Sequence, residues 1–160
     1  MKHLARASLL AVALVLAMSV TAQAGTTRIP FSGTAVLVDI PDGGVMTFEG
    51  NSVHVSGMVL VNEQHFGNPM TDGTITVTVS YVFGGPLSQG NAMWGTEVIE
   101  PTAYPGEGFT CTMSGGWDKD FVMQANDRCM GYGPHLAGWQ YRSHITAESQ
   151  IDGYLMAPGA

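Results

Sequence analysis

The chain has 160 residues, 45% of them hydrophobic, and carries six Lys and Arg against 13 Asp and Glu for a net charge of −7 with histidine neutral. Nucleic acids and anionic membranes are bound through clustered Lys and Arg, and no such cluster exists here, so neither is expected as a partner. The length is enough for one domain with its own core.

The first expected element is a cleavable secretory signal over Met1 to Ala24. Lys2 and Arg6 give a positive start, Leu9 to Ala17 is an unbroken apolar run, and Ala22-Gln23-Ala24 is the small-x-small pattern that precedes a cut. That run is shorter than the roughly 20 apolar residues a spanning helix needs, so no membrane insertion is expected. The residues after the cut, Gly25-Thr26-Thr27, include no cysteine to carry a lipid. The expectation is a secreted or periplasmic protein whose single domain spans 25–160. Cleavage removes Lys2 and Arg6 and leaves Arg28, Lys119, Arg128 and Arg142 against all 13 acids, a balance of −9 that reads first as solubility.

Beyond Gly25 the pattern has a period of two, the signature of half-buried strands. The predicted strands are Phe31 to Ile40, Val45 to Glu49, Ser52 to Val61, Thr74 to Phe83, Ala92 to Ile99, Phe109 to Ser114, Phe121 to Asn126, Trp139 to Thr146 and Gln150 to Met156. In Thr74 to Phe83 the residues Ile75, Val77, Val79, Tyr81 and Phe83 share one face and Thr74, Thr76, Thr78 and Ser80 the other. Ser52 to Val61 is apolar on both sides, with Val53, Val55, Val59 and Val61 expected on one face and His54, Ser56, Met58 and Leu60 on the other. Turn residues at Pro41-Asp42-Gly43-Gly44, Gly50-Asn51, Thr71-Asp72-Gly73, Gly84-Gly85-Pro86 and Asp152-Gly153 separate the runs. So many short antiparallel strands in one small domain favour closure, which removes exposed edges: an all-β fold, a single antiparallel β-barrel of about eight strands. Gly57, Gly95, Gly131, Gly133 and Gly138 fall in or beside strands, where they mark bulges, corners or ordinary loops.

Cys111 and Cys129 are expected to form a disulfide, since they are the only pair in a chain read as exported and lack C-x-x-C spacing. If they lie opposite one another across a hairpin, its tip falls within Gly116 to Asp120.

Trp94-Gly95-Thr96, Ser114-Gly115-Gly116-Trp117 and Gly131-Tyr132-Gly133-Pro134-His135-Leu136-Ala137-Gly138-Trp139 together resemble the late half of secreted bacterial proteins related to the allene oxide cyclase and dirigent barrels. The resemblance covers about the last 70 residues. It implies an eight-stranded, calycin-like barrel, often a homo-oligomer in the better-known relatives, with an apolar cavity that steers a reactive intermediate or holds a ligand. No catalytic acid of those relatives maps onto a position here. The Gly115-x-Trp117 match to lipocalins stands late in the chain rather than near its first strand.

Chemistry is sparsely written. G-x-S-x-G, P-loop, Rossmann and H-E-x-x-H patterns are absent. Four histidines (His54, His65, His135 and His144) follow the expected cut, isolated from one another, and no metal site or cofactor is predicted; a copper site would require Met and His from different strands to converge. Glu97 alternates with Met93, Gly95 and Ile99, and is a candidate acid if that face points inward; the solvated orientation is the preferred one, because Glu is rarely buried unpaired. Arg142 and His144 are placed on the wet face. Trp94, Trp139, Tyr141 and Tyr81 are the candidate ligand-binding residues, large side chains with a polar handle suited to a pocket mouth or to plugging the barrel. Glu100 to Gly108 is a loop long enough to cover one end. The reading favoured is a non-catalytic binding or structural barrel for a small apolar ligand or protein partner; the alternatives are a cyclase- or isomerase-like enzyme using a buried acid, and copper handling.

Overall fold

A computed structural model describes residues 27–84, 91–118, 120, 122–146 and 150–159. The expected signal, 1–24, lies outside the described residues.

The strands are β1 (Arg28–Asp42), β2 (Val45–Glu49), β3 (Ser52–His65), β4 (Gly73–Gly84), β5 (Asn91–Pro101), β6 (Gly108–Trp117), β7 (Met123–Tyr132), β8 (Gln140–Thr146) and β9 (Gln150–Met156). Every neighbouring pair is antiparallel. The sheet runs β1-β9-β8-β7-β6-β5-β4-β3-β2, and an extra β1–β3 pairing closes it. The result is an eight-stranded antiparallel barrel with β2 outside the ring, and no helix among the described residues.

Closure is achieved by dividing β1 between two partners. Arg28 to Thr34 pair with β9, and Thr34 to Asp42 pair with β3, so β1 bridges the two ends of the sheet. Beyond Thr34 no ladder with β9 is present among the described residues. Together with β2, which pairs with β3 alone, this forms a long arm whose apolar residues remain exposed, up to 73% for Phe48.

The side-chain pattern of β3 departs from simple alternation. Val55 lies opposite Tyr81 and Met58 opposite Val79, so three steps on β3 match two on β4. The extra residue is a bulge at Ser56-Gly57, where Gly57 has φ +71 and its N–H donates to Ser80 Oγ at 3.1 Å. Past it every side chain changes face: Met58 and Leu60 pack toward the core, and Val59 and Val61 do not. The expected grouping of Val53, Val55, Val59 and Val61 is therefore corrected. His54 and Met58, expected together, lie on opposite faces.

Inside, the barrel is filled at one end and open at the other. Phe31 stacks on Phe66 at 4.9 Å and on Tyr141 at 4.8 Å between ring centroids, with Phe109 5.8 Å from Tyr141. Ile99, Leu136 and Leu155 complete a fully buried plug. Glu107 pins the chain beneath it: its Oε2 accepts from the backbone N–H of His135 at 2.6 Å and of Leu136 at 3.2 Å, and its Oε1 lies 2.6 Å from His135 Nδ1. These contacts hold its carboxyl below the usual range, the His135 side chain contributing most. The expected cover loop thus closes the plugged end, with Tyr104 packed against the core.

Cys111 and Cys129 are register partners on β6 and β7 and are joined by a disulfide, Cα to Cα 3.9 Å. The hairpin tip lies between Trp117 and Met123 and centres on Asp120, the midpoint expected from the cysteine pair, where Asp118 Oδ1 accepts from the N–H of Asp120 and Val122.

Candidate functional site

Above the aromatic plug the barrel is hollow. The cavity has a volume of about 370 Å³ and is walled by aliphatic and thioether side chains, among them Leu60, Ile75, Val77, Val79, Met93 and Met113. β4 supplies its wall by plain alternation, as predicted: Ile75, Val77 and Val79 point in, and the threonines between them point out. Ala35, Val36 and Leu37 border it where β1 leaves β9, and Val36 and Leu37 are themselves exposed, so the mouth opens beside the arm.

One charged residue lines this apolar wall, Glu97. The face of Met93, Glu97 and Ile99 points inward, and Trp94 and Val98 point out. Glu97 is only 2% exposed, which corrects the solvated orientation expected for it. Its Oε2 has no hydrogen-bond partner. Burial pushes its carboxyl well above the ordinary range, and the nearby Asp127 carboxylate pushes it further.

Asp127 is buried on β7, opposite Met113. Its Oδ2 accepts a hydrogen bond from the Ser143 hydroxyl on β8, whereas its Oδ1 is unpartnered. Desolvation raises it to about 6, opposed by Ser143 and by His144. Tyr141, 1% exposed, lies against the same group: burial and then the two carboxyls, Asp127 and Glu97, drive its phenol well above the usual value. Glu97 thus belongs to a small buried polar group with Asp127, Ser143 and Tyr141, and is its one member that lines the apolar chamber. Of the two buried acids only Glu97 lines the chamber, and no Lys or Arg is among the described residues lining it.

The four predicted aromatic residues do not converge on this site. Trp94 stands on the outer face, 49% exposed. Tyr141 belongs to the plug and the buried polar group. Trp139 is half-buried at the plugged end. Tyr81 meets Trp117 edge-on at 5.6 Å, in a separate shallow depression with Met46, Val53, Val55 and Phe83. Chamber walls are aliphatic because inward positions on the narrow barrel are set by strand parity, not by aromatic content.

Asp127 and Ser143 were not singled out from the sequence, although a signal existed. Ala125, Asp127 and Cys129 alternate on one strand, so a core disulfide at Cys129 obliges Asp127 to point inward as well.

Thioethers of Met93, Met113 and Met123 line the chamber without a histidine. His54 faces outward beside Glu49 at 3.7 Å, His65 lies 3.9 Å from Glu63, His135 is held by Glu107, and His144 meets Asn126 at 3.0 Å on the outer face of β8. No histidine joins the methionines of the chamber, and among the described residues no group of three or more His, Cys, Asp or Glu is arranged to hold a metal ion. Arg142 and His144 border a shallow polar groove on the outer face of β7 to β9, the wet side predicted for them. Among the described residues no helix is long and apolar enough to cross a membrane. Comparison with family models, curated proteins and solved structures found no match.

Proposed function

We propose that this protein binds a small, largely apolar molecule in the open half of its barrel. The observation that carries this reading is the chamber of about 370 Å³, apolar on its walls and open beside the β1 arm, with a single acid in its lining. Wall residues of this kind give affinity by burial, and one polar group in an apolar pocket fixes orientation. The resemblance to ligand-holding barrels supports the same reading. Action outside the cytoplasm rests on residues 1–24 and is weakly supported by the Cys111–Cys129 bridge.

The test is a titration with a neutral, environment-sensitive naphthalene dye. Saturable one-to-one binding with blue-shifted emission is expected. Emission that stays at the free-dye value through saturation of the protein would remove the reading.

A second reading is favoured by one feature, the buried acid itself. A buried carboxyl held above its ordinary range can give and take a proton at the same carbon of an enclosed substrate, as a cyclase or isomerase requires. This reading expects deuterium exchange from solvent into the α-carbon of a small cyclic ketone, lost in Glu97→Gln. Exchange equal to that of buffer in the wild-type protein would discard it.

A further inference from the structure

This inference rests on the binding reading above and concerns the polar end of the ligand. Glu97 is buried, lines the chamber and carries an unpartnered oxygen, Oε2; Asp127 behind it carries another, Oδ1. Unsatisfied buried acceptors are costly and call for a donor. Apart from Asn62 the lining residues are aliphatic side chains and methionines, and the Asn62 amide does not reach Glu97 Oε2, which has no hydrogen-bond partner. A hydroxyl offers such an acceptor one neutral donor; an ammonium offers three donors and a positive charge.

Charge points the same way. Glu97 brings the one acidic group into a chamber with no Lys or Arg among its described lining residues. A monocation neutralises the charge of its carboxylate; a carboxylate ligand would add a like charge to it. We propose that the chamber is a site for an apolar primary amine, held by its ammonium group on Glu97, with the buried Asp127 reinforcing the negative potential there and its hydrocarbon against Val77, Val79 and Met113. Binding is then linked to proton release, because the cation stabilises the ionised Glu97 carboxylate and the proton of the neutral acid leaves to solvent. The titratable groups facing Glu97 are Asp127 from β7 and Tyr141 from β8; β4 and β6 face it with Val77, Val79, Met113 and the Cys111 sulfur, and His144 acts on Asp127 from the outer side of β8.

The experiment is competition of octylamine, 1-octanol and octanoate against the neutral dye, at pH 7.5 and pH 5, on wild type, Glu97→Gln and the double variant Glu97→Gln/Asp127→Asn. Octylamine should compete about tenfold better than octanol, the difference expected when a charged hydrogen-bonded partner replaces a neutral one. Octanoate should be the weakest. The amine preference should shrink at pH 5 and vanish in the double variant, while the dye still binds. Calorimetry of wild type with octylamine in two buffers of different ionisation enthalpy should detect proton release, independently of whether the variants fold. Dye binding with octanol or octanoate equal to octylamine, or octylamine binding without proton release, would overturn the amine assignment and leave the apolar-ligand reading standing. Failure of the dye itself to bind would remove both.

Discussion

Glu97 and Asp127 make the fold respond to pH in an unusual direction. Each carboxyl is raised in the folded state, Asp127 from 3.8 to about 6 and Glu97 well above its usual value. A raised acid means that the folded chain holds protons that the unfolded chain has released, so stability falls as pH rises from the ordinary carboxylate range through the folded values. For Asp127 alone the shift corresponds to roughly 3 kcal/mol lost by neutral pH. Glu107 acts in the opposite sense. Its lowered carboxyl gives stability that is present above the ordinary carboxylate range and lost as pH falls through its folded value. The two effects together place the stability maximum near the bottom of the carboxylate range's upper side, in mildly acidic solution. Urea midpoints measured across pH should peak there and decline toward pH 8, and Glu97→Gln should flatten that decline. A wild-type midpoint that climbs steadily from pH 5 to pH 8 would contradict the buried, unpaired placement of both acids.

At the scale of the strands, the β6–β7 hairpin is held by a cross-link between directly opposed residues 18 apart in sequence. In the chain-entropy account a loop of that size is worth about 3 kcal/mol. Replacing both cysteines with alanine should therefore lower the melting temperature by roughly 10 °C in a domain of this size. A change of a degree or two in thermal melts of the double variant would show that the hairpin is held by packing alone. The same hairpin marks what a sequence yields and what it withholds. Strand existence and order were readable from two-residue alternation and turn chemistry, because both are local. Parity was not, wherever a bulge intervened: the positive-φ Gly57 adds one residue to β3 and moves Met58 and Leu60 into the barrel. The bulges in β1, between Leu37 and Asp39 and again before Asp42, are equally silent in the sequence. The general rarity of buried acids points Glu97 to solvent, a rule that fails where a site keeps one. Its own strand contradicted that rule, since Met93 and Ile99 share its face.

For the whole molecule, the division into a plugged half and a hollow half follows from where the large side chains enter. Phe31, Phe66, Phe109 and Tyr141 meet at one level and exclude any guest, and the strands above them contribute Val, Ile, Leu and Met, which leave space. β1 parts from β9 at Thr34, level with that transition, so the wall opens where the interior is empty. Two substitutions separate this arrangement from an arrangement in which exposed aromatics bind the guest. Ala35 lies at the mouth with room beside it, and Ala35→Phe should fill the chamber and weaken the neutral dye by at least about tenfold, since burial of even a small part of an apolar guest is worth on the order of 1.4 kcal/mol. Stability should change little, because the added ring enters existing space instead of displacing packed neighbours. Trp94→Ala removes a large aromatic from the outer face and should leave dye affinity unchanged. The reverse result, with Trp94→Ala releasing the dye and Ala35→Phe binding it as wild type does, would move the site from the interior of the barrel to its outer surface.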